Sequence, residues 1–126
     1  MKDEIILTLP EQPAFHDVAH LVVGGLGVRL NLTFENLEDL QTALDGLLPR
    51  VGGEVTVAVR MEDGALEVTV GPFACDPLRA ELGRDKTEEV GLRRVLETVA
   101  NTLEVIERDG SCWVRLSKAV TAAPED

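Results

Sequence analysis

The sequence predicts an α+β protein, a two-layer sandwich with helices on one face of a mostly antiparallel sheet. Predicted strands and helices cluster along the chain instead of alternating singly, which favours this class over a parallel α/β sheet. Segments 55–61 and 66–70 alternate apolar and polar residues, and Asp63-Gly64 between them is a hairpin signal. This alternation indicates strands that are covered on one side.

The first half of the chain is predicted to contain one strand and two helices. The strand is predicted over 5–9, and a helix over 13–28 follows it. A second helix is predicted over 34–48, because leucines recur there at three- and four-residue spacing and Thr33 is a suitable N-cap. Pro49 then ends this helix, since proline lacks the backbone donor that a further turn needs.

In the second half, the hairpin strands are followed by more helix and a closing hairpin. The sequence predicts a short helix, a longer helix and two strands over 78–82, 88–101, 103–106 and 112–116. The turn of this last hairpin is predicted at Asp109-Gly110. The pattern indicates a single domain over 1–120, and the polar end over 121–126 is predicted to be a disordered tail.

The charge balance and the two cysteines restrict the classes of partner. A net charge of −11 argues against binding to nucleic acid or to an anionic membrane surface, and it is compatible with a basic protein partner. No apolar run is long enough to span a membrane, and the acidic N-terminal sequence does not resemble a signal peptide. Cys75 and Cys112 lack the spacing of a metal site, so reduced thiols in a cytoplasmic protein are expected.

Three stretches follow one another in an order that is known from one protein family. They are Pro13 to Leu26 (PAFHDVAHLVVGGL), Glu38 to Leu44 (EDLQTAL), and the region that runs from Gly91 to Leu116. Together they resemble the GHKL (histidine-kinase-like) ATPase fold, and most closely its small bacterial anti-sigma factors that are also serine-protein kinases. The resemblance covers nearly the whole chain. It implies the same two-layer fold, a homodimer, and a sigma factor or anti-anti-sigma-type antagonist as partner.

The resemblance also shows what this chain lacks. In the family, a glutamate on the second helix helps to activate the attacking hydroxyl, and an asparagine on the same helix binds the magnesium that bridges the nucleotide phosphates. An aspartate after the second hairpin strand accepts a hydrogen bond from the adenine amino group. Their positions correspond to Gly46, Arg50 and the turn that starts at Gly71, none of which offers a ligand oxygen. A later motif keeps Gly91 but has Arg93 in place of its second glycine. We therefore predict that the nucleotide-binding motifs of the family are degenerate here, at Gly46, Arg50, Gly71 and Gly91. We expect that the chain binds no cofactor and does not act as a kinase.

The leading functional hypothesis is a non-catalytic, regulatory protein-binding module, and two enzymatic alternatives remain open. The first is a working ATP-dependent serine kinase of the same family. The second is a zinc-dependent hydrolase, because His16 and His20 in HDVAH share a helix face as in the H-E-x-x-H motif. The sequence contains no further histidine to supply a third ligand, so no metal is expected.

The single tryptophan is the residue whose role the sequence leaves most open. Alternation along the last predicted strand places Trp113 on the face opposite Cys112 and Val114. It is then either buried under a second layer or exposed as an anchor for a protein partner.

Overall fold

The computed structural model describes residues 3–10, 14–29, 33–48, 51, 53–62, 64–83 and 92–119. Within them the elements are β1 (Asp3–Leu9), α1 (Ala14–Arg29), α2 (Phe34–Leu47), β2 (Val55–Glu62), β3 (Ala65–Phe73), α3 (Cys75–Gly83), α4 (Leu92–Val99), β4 (Thr102–Arg108) and β5 (Ser111–Ala119). The strands form one five-stranded sheet in the order β1-β2-β3-β5-β4, and every neighbouring pair is antiparallel. This arrangement confirms the predicted α+β class and the antiparallel sheet.

The core lies on one face of the sheet, which we call the inner face. Strand residues at alternate positions are buried there, as the sequence pattern predicts, and the helices supply the opposing apolar side chains. The least exposed large side chains of this layer are Leu44, Leu47, Val70, Leu96 and Val114. The described part of the chain is therefore consistent with two layers.

Helix α2 is the helix whose cap and buried face the sequence predicts most clearly. Its predicted N-cap is confirmed, because the Thr33 hydroxyl accepts a hydrogen bond from the Asn36 backbone N–H at 3.2 Å. Three of its four leucines, Leu40, Leu44 and Leu47, are buried at the spacing that the sequence shows, and Leu37 is half-buried. An ion pair between Lys118 and Asp39 joins the helix to β5. The helix ends at Leu47, and Pro49 lies outside the described residues.

Several element boundaries differ from the predictions. Strand β3 continues to Phe73, past the predicted end at Val70, and its pairing with β5 is irregular between those two residues. Helix α3 begins at Cys75 instead of Leu78. The predicted helix over 88–101 is described only over 92–99, and the predicted tail over 121–126 lies outside the described residues.

The expectation that the two cysteines are reduced thiols is wrong. Cys75 and Cys112 form a disulfide, with their Cα atoms 5.0 Å apart. The sheet register explains this pairing, because Cys112 lies opposite Phe73, and α3 begins two residues later with Cys75. The bridge therefore fastens the first residue of α3 to β5.

Among the described helices, none has both the length and the apolar character that crossing a membrane requires.

Candidate protein-binding face

The face of the sheet opposite the core, which we call the outer face, carries the alternate residues of each strand. Its register places Ile6 beside Ala58, Arg60 beside Glu67, and Trp113 beside Ile106. Most of these side chains are half-buried, and Ile6 is 63% exposed. Within the described residues, the outer face therefore meets solvent, whereas the inner face is filled by helices.

Trp113 is held on the outer face by a direct contact with the backbone of the neighbouring strand. A Cβ atom added at Gly71 would lie 2.6 Å from Cδ2 of the indole and 3.0 Å from its Cγ, closer than side chains pack. Gly71 is buried, and Trp113 itself is half-buried. The glycine therefore provides the space in which the indole rests, an arrangement in which an aromatic side chain covers a strand glycine.

Two further side chains hold the indole from the side of β4. Ile106 is its direct cross-strand partner, and such pairs contribute to the stability of a sheet. The Arg108 guanidinium carbon lies 6.0 Å from the centroid of the indole ring, at the outer limit of a cation–π contact. The sequence left Trp113 either buried or exposed. The structure places it between those extremes, packed on one side and accessible on the other.

Next to the tryptophan, one carboxylate lies between two guanidinium groups. Arg60 Nη2 is 2.7 Å from Glu67 Oε1, and Arg115 Nε is 3.8 Å from the same oxygen. All three side chains are about one quarter to one third exposed. Glu104 lies beside Arg115 in the register. The centre of the outer face is therefore close to charge balance, in a chain whose net charge is −11.

The described positions of the degenerate nucleotide site do not meet. A side chain added at Gly71 would project toward the indole on the outer face. Gly46 lies on α2, whose leucines fill the core on the inner face. A side chain at Gly71 would thus project away from the layer that holds Gly46. Arg50 and Gly91 lie outside the described residues.

Among the described residues, the cavity next to α2 is too small for a nucleotide. A cavity between α2, α4, β3 and β5 has a volume of about 20 Å³ and is lined mainly by apolar side chains such as Leu40, Val68 and Leu116. A volume of that size holds about one water molecule, whereas ligand pockets occupy roughly 300–1,000 Å³. This cavity cannot accept a nucleotide without a rearrangement of the layer.

His20 makes a contact between helices. Its Nε2 atom lies 2.5 Å from Asp45 Oδ1, which joins α1 to α2. The side chain of His16 lies outside the described residues. Among the described side chains, the group of three that could hold a metal ion consists of Cys75, Glu107 and Cys112, so His20 does not belong to it. No sequence motif indicates this group, because its members come from three different elements.

A comparison with models of known protein families finds no match, and a comparison with curated proteins finds no significant one. The GHKL resemblance therefore still depends on the order of the three sequence stretches. The fold agrees with it at the level of an α+β protein with an antiparallel sheet.

Proposed function

We propose that this chain is a non-catalytic regulatory module that binds a protein partner through the outer face around Trp113. The observation that carries the proposal is the indole held on Gly71, with one side in contact with the sheet and the other accessible. Tryptophan and arginine are the residues that most often supply the binding energy of protein interfaces. Here a tryptophan lies beside Arg108 and near Arg115.

The packing of the indole makes it a favourable anchor. A side chain that is already fixed loses little conformational freedom on binding, so more of its contact energy appears as affinity. The antiparallel sheet beneath it is a rigid platform, because both neighbouring strands of β5 are hydrogen-bonded to it. The centre of the face is close to charge balance, so it imposes no strong like-charge repulsion on a partner of either sign.

The resemblance to anti-sigma factors suggests the partner, which we propose to be a sigma factor or an anti-anti-sigma-type antagonist. A homodimer and a cytoplasmic location belong to the same proposal. Disulfides persist mainly in oxidising compartments. In the cytoplasm the Cys75–Cys112 bridge would therefore be exposed to reduction by thiols.

The two enzymatic alternatives gain less support from the geometry. A serine kinase needs a nucleotide site, and a side chain at Gly71 would project away from the layer that holds Gly46. A zinc hydrolase needs a third ligand beside His16 and His20, and the described contact of His20 is with Asp45 alone among the acidic groups. Protein binding is the function that the accessible indole and the nearby arginines of the outer face support best.

The experiment measures the affinity of purified candidate partners, sigma factors and anti-anti-sigma proteins, for three versions of the chain by calorimetry. We expect Trp113→Ala to weaken binding by 2 kcal/mol or more, about thirtyfold, the threshold for an interface hot spot. The matched control is Phe34→Ala, because Phe34 is a 73% exposed aromatic residue on α2, away from the outer face. Its affinity should stay within about twofold of the unchanged chain.

Circular dichroism of each variant separates lost binding from lost folding. A folded Trp113→Ala variant with undiminished affinity would exclude the outer face as the binding site. An equal loss in Phe34→Ala would also contradict the proposal.

A further inference from the structure

We propose that the reduced form of this chain binds a thiophilic divalent cation, such as zinc, through Cys75, Cys112 and Glu107. The two cysteine sulfurs, which form a disulfide in this structure, and a carboxylate oxygen of Glu107 all lie within 4.8 Å of one another. The site is separate from the outer face, so the proposal does not depend on the proposed function. The sequence predicts no metal, and the disulfide form offers no thiolate to bind one.

Three elements bring the ligands together. Cys75 is the first residue of α3, Cys112 is in β5, and Glu107 in β4 is the direct cross-strand partner of Cys112. Directly paired residues project to the same face of a sheet, so the carboxylate and the sulfur lie on the same side. The sheet register therefore fixes two of the ligands, and the start of α3 supplies the third.

The spacing fits a tetrahedral metal. With zinc–sulfur bonds of about 2.3 Å, two thiolates on one ion lie about 3.8 Å apart, a separation that small side-chain rotations reach when the Cα atoms are 5.0 Å apart. Thiolates select zinc over the harder ions magnesium and calcium. Three protein ligands leave the fourth position for water.

Glu107 also has an ion-pair partner on α3. Arg79 on α3 places Nη2 at 3.6 Å from Glu107 Oε2. Both side chains are more than half exposed, so the ion pair is weak and the carboxylate can move toward the sulfurs. Such contacts to a ligand's second oxygen orient metal ligands in many proteins. Arg79 is thus a neighbour of the proposed site and not a ligand.

The chemistry requires a reductant, which we take to be a dithiol. The dithiol supplies two electrons and two protons, the bond between the two sulfurs breaks, Cys75 and Cys112 become thiols, and the dithiol becomes a disulfide. When the cation binds, the two thiol protons pass to the buffer. The metal then replaces the covalent bridge as the link between α3 and β5. The two states of the chain would thus be fastened at the same point by different bonds.

The test uses cobalt(II) as a spectroscopic probe. The full chain is reduced with a dithiol, freed of it under inert gas, and titrated with cobalt. We expect a thiolate-to-cobalt charge-transfer band that saturates at one ion per chain, and its disappearance when zinc is added. The unreduced chain should show no band.

Two single variants show whether Glu107 is a ligand. Glu107→Gln should weaken cobalt binding by at least about tenfold. Glu104→Gln is the matched control, since Glu104 is on the same strand and projects to the opposite face. It should leave the affinity unchanged. Both variants keep the disulfide, so they can be purified in the same folded form as the unchanged chain.

Several results would overturn the proposal. One is a reduced chain without a charge-transfer band, or one that stays unfolded by circular dichroism at saturating cobalt. Another is Glu107→Gln binding as tightly as the unchanged chain, which would leave a site of two thiolates alone. If Glu104→Gln weakened cobalt binding equally, the effect would come from the loss of one negative charge and not from the loss of a ligand.

Discussion

The contact between Gly71 and Trp113 allows a quantitative test by a double-mutant cycle. A Cβ atom at Gly71 would lie 2.6 Å and 2.7 Å from indole atoms, so Gly71→Ala requires the ring to move. The ring is held by its cross-strand neighbour Ile106, and overpacking of this kind costs about 1–3 kcal/mol. In a Trp113→Val background the ring is absent. There the alanine should stabilise the strand by about 0.5–1 kcal/mol, because glycine is the less favourable residue in a strand.

The two effects differ in sign, so the predicted coupling energy is about 1.5–4 kcal/mol. Urea unfolding of the four proteins, followed by circular dichroism, measures this coupling energy. The dependence of the unfolding free energy on urea concentration must be the same for all four proteins. A coupling below about 0.5 kcal/mol, the limit for independent sites, would refute the interpretation that the glycine exists for the indole.

Four further predictions test the rest of the structure. Thr33→Ala should lower the free energy of unfolding by about 1 kcal/mol in urea, because it removes the N-cap of α2. Replacing Cys75 and Cys112 by serine should lower it by about 4 kcal/mol, the loop-closure estimate for a bridge across 37 residues, whereas adding a dithiol to that variant should change nothing. The disulfide form should purify without stoichiometric zinc by elemental analysis; one zinc per chain, lost in His20→Ala, would contradict this. Calorimetry should detect no magnesium-dependent ATP binding tighter than about millimolar, and a micromolar dissociation constant would restore the kinase hypothesis.

Local patterns predicted the features that local interactions determine. The alternation in β2 and β3, the Thr33 cap and the leucine spacing of α2 each depend on residues within a few positions of one another, and the structure agrees with all three. The prediction of a helix over 13–28 agrees closely with α1, but the polar residues of this helix do not mark a clear solvent-facing side, and its Leu21 is 77% exposed. Its sequence therefore indicated a helix but not which face would be buried.

The two contacts that define the candidate sites could not be predicted locally. The contact of Gly71 with Trp113 and the bridge from Cys75 to Cys112 both cross between the region that ends β3 and strand β5. Each depends on the register of that strand pair, including its irregularity after Val70. A sequence pattern shows which face a residue occupies, but it does not show which residue of a distant strand lies beside it.

The position of β5 has a consequence for how the chain can fold during synthesis. Strand β5 is the last described strand, yet it lies between β3 and β4 and supplies a hydrogen-bonding edge to each. A ribosome-bound chain that has not yet released residues 111–119 therefore holds β3, with its apolar residues, as an unpaired edge. Unpaired apolar edges bind other chains, so the interval before β5 emerges is the period of greatest risk of aggregation. Cell-free synthesis with stalled chains that end before Ser111 would reveal this risk as a dependence on chaperones.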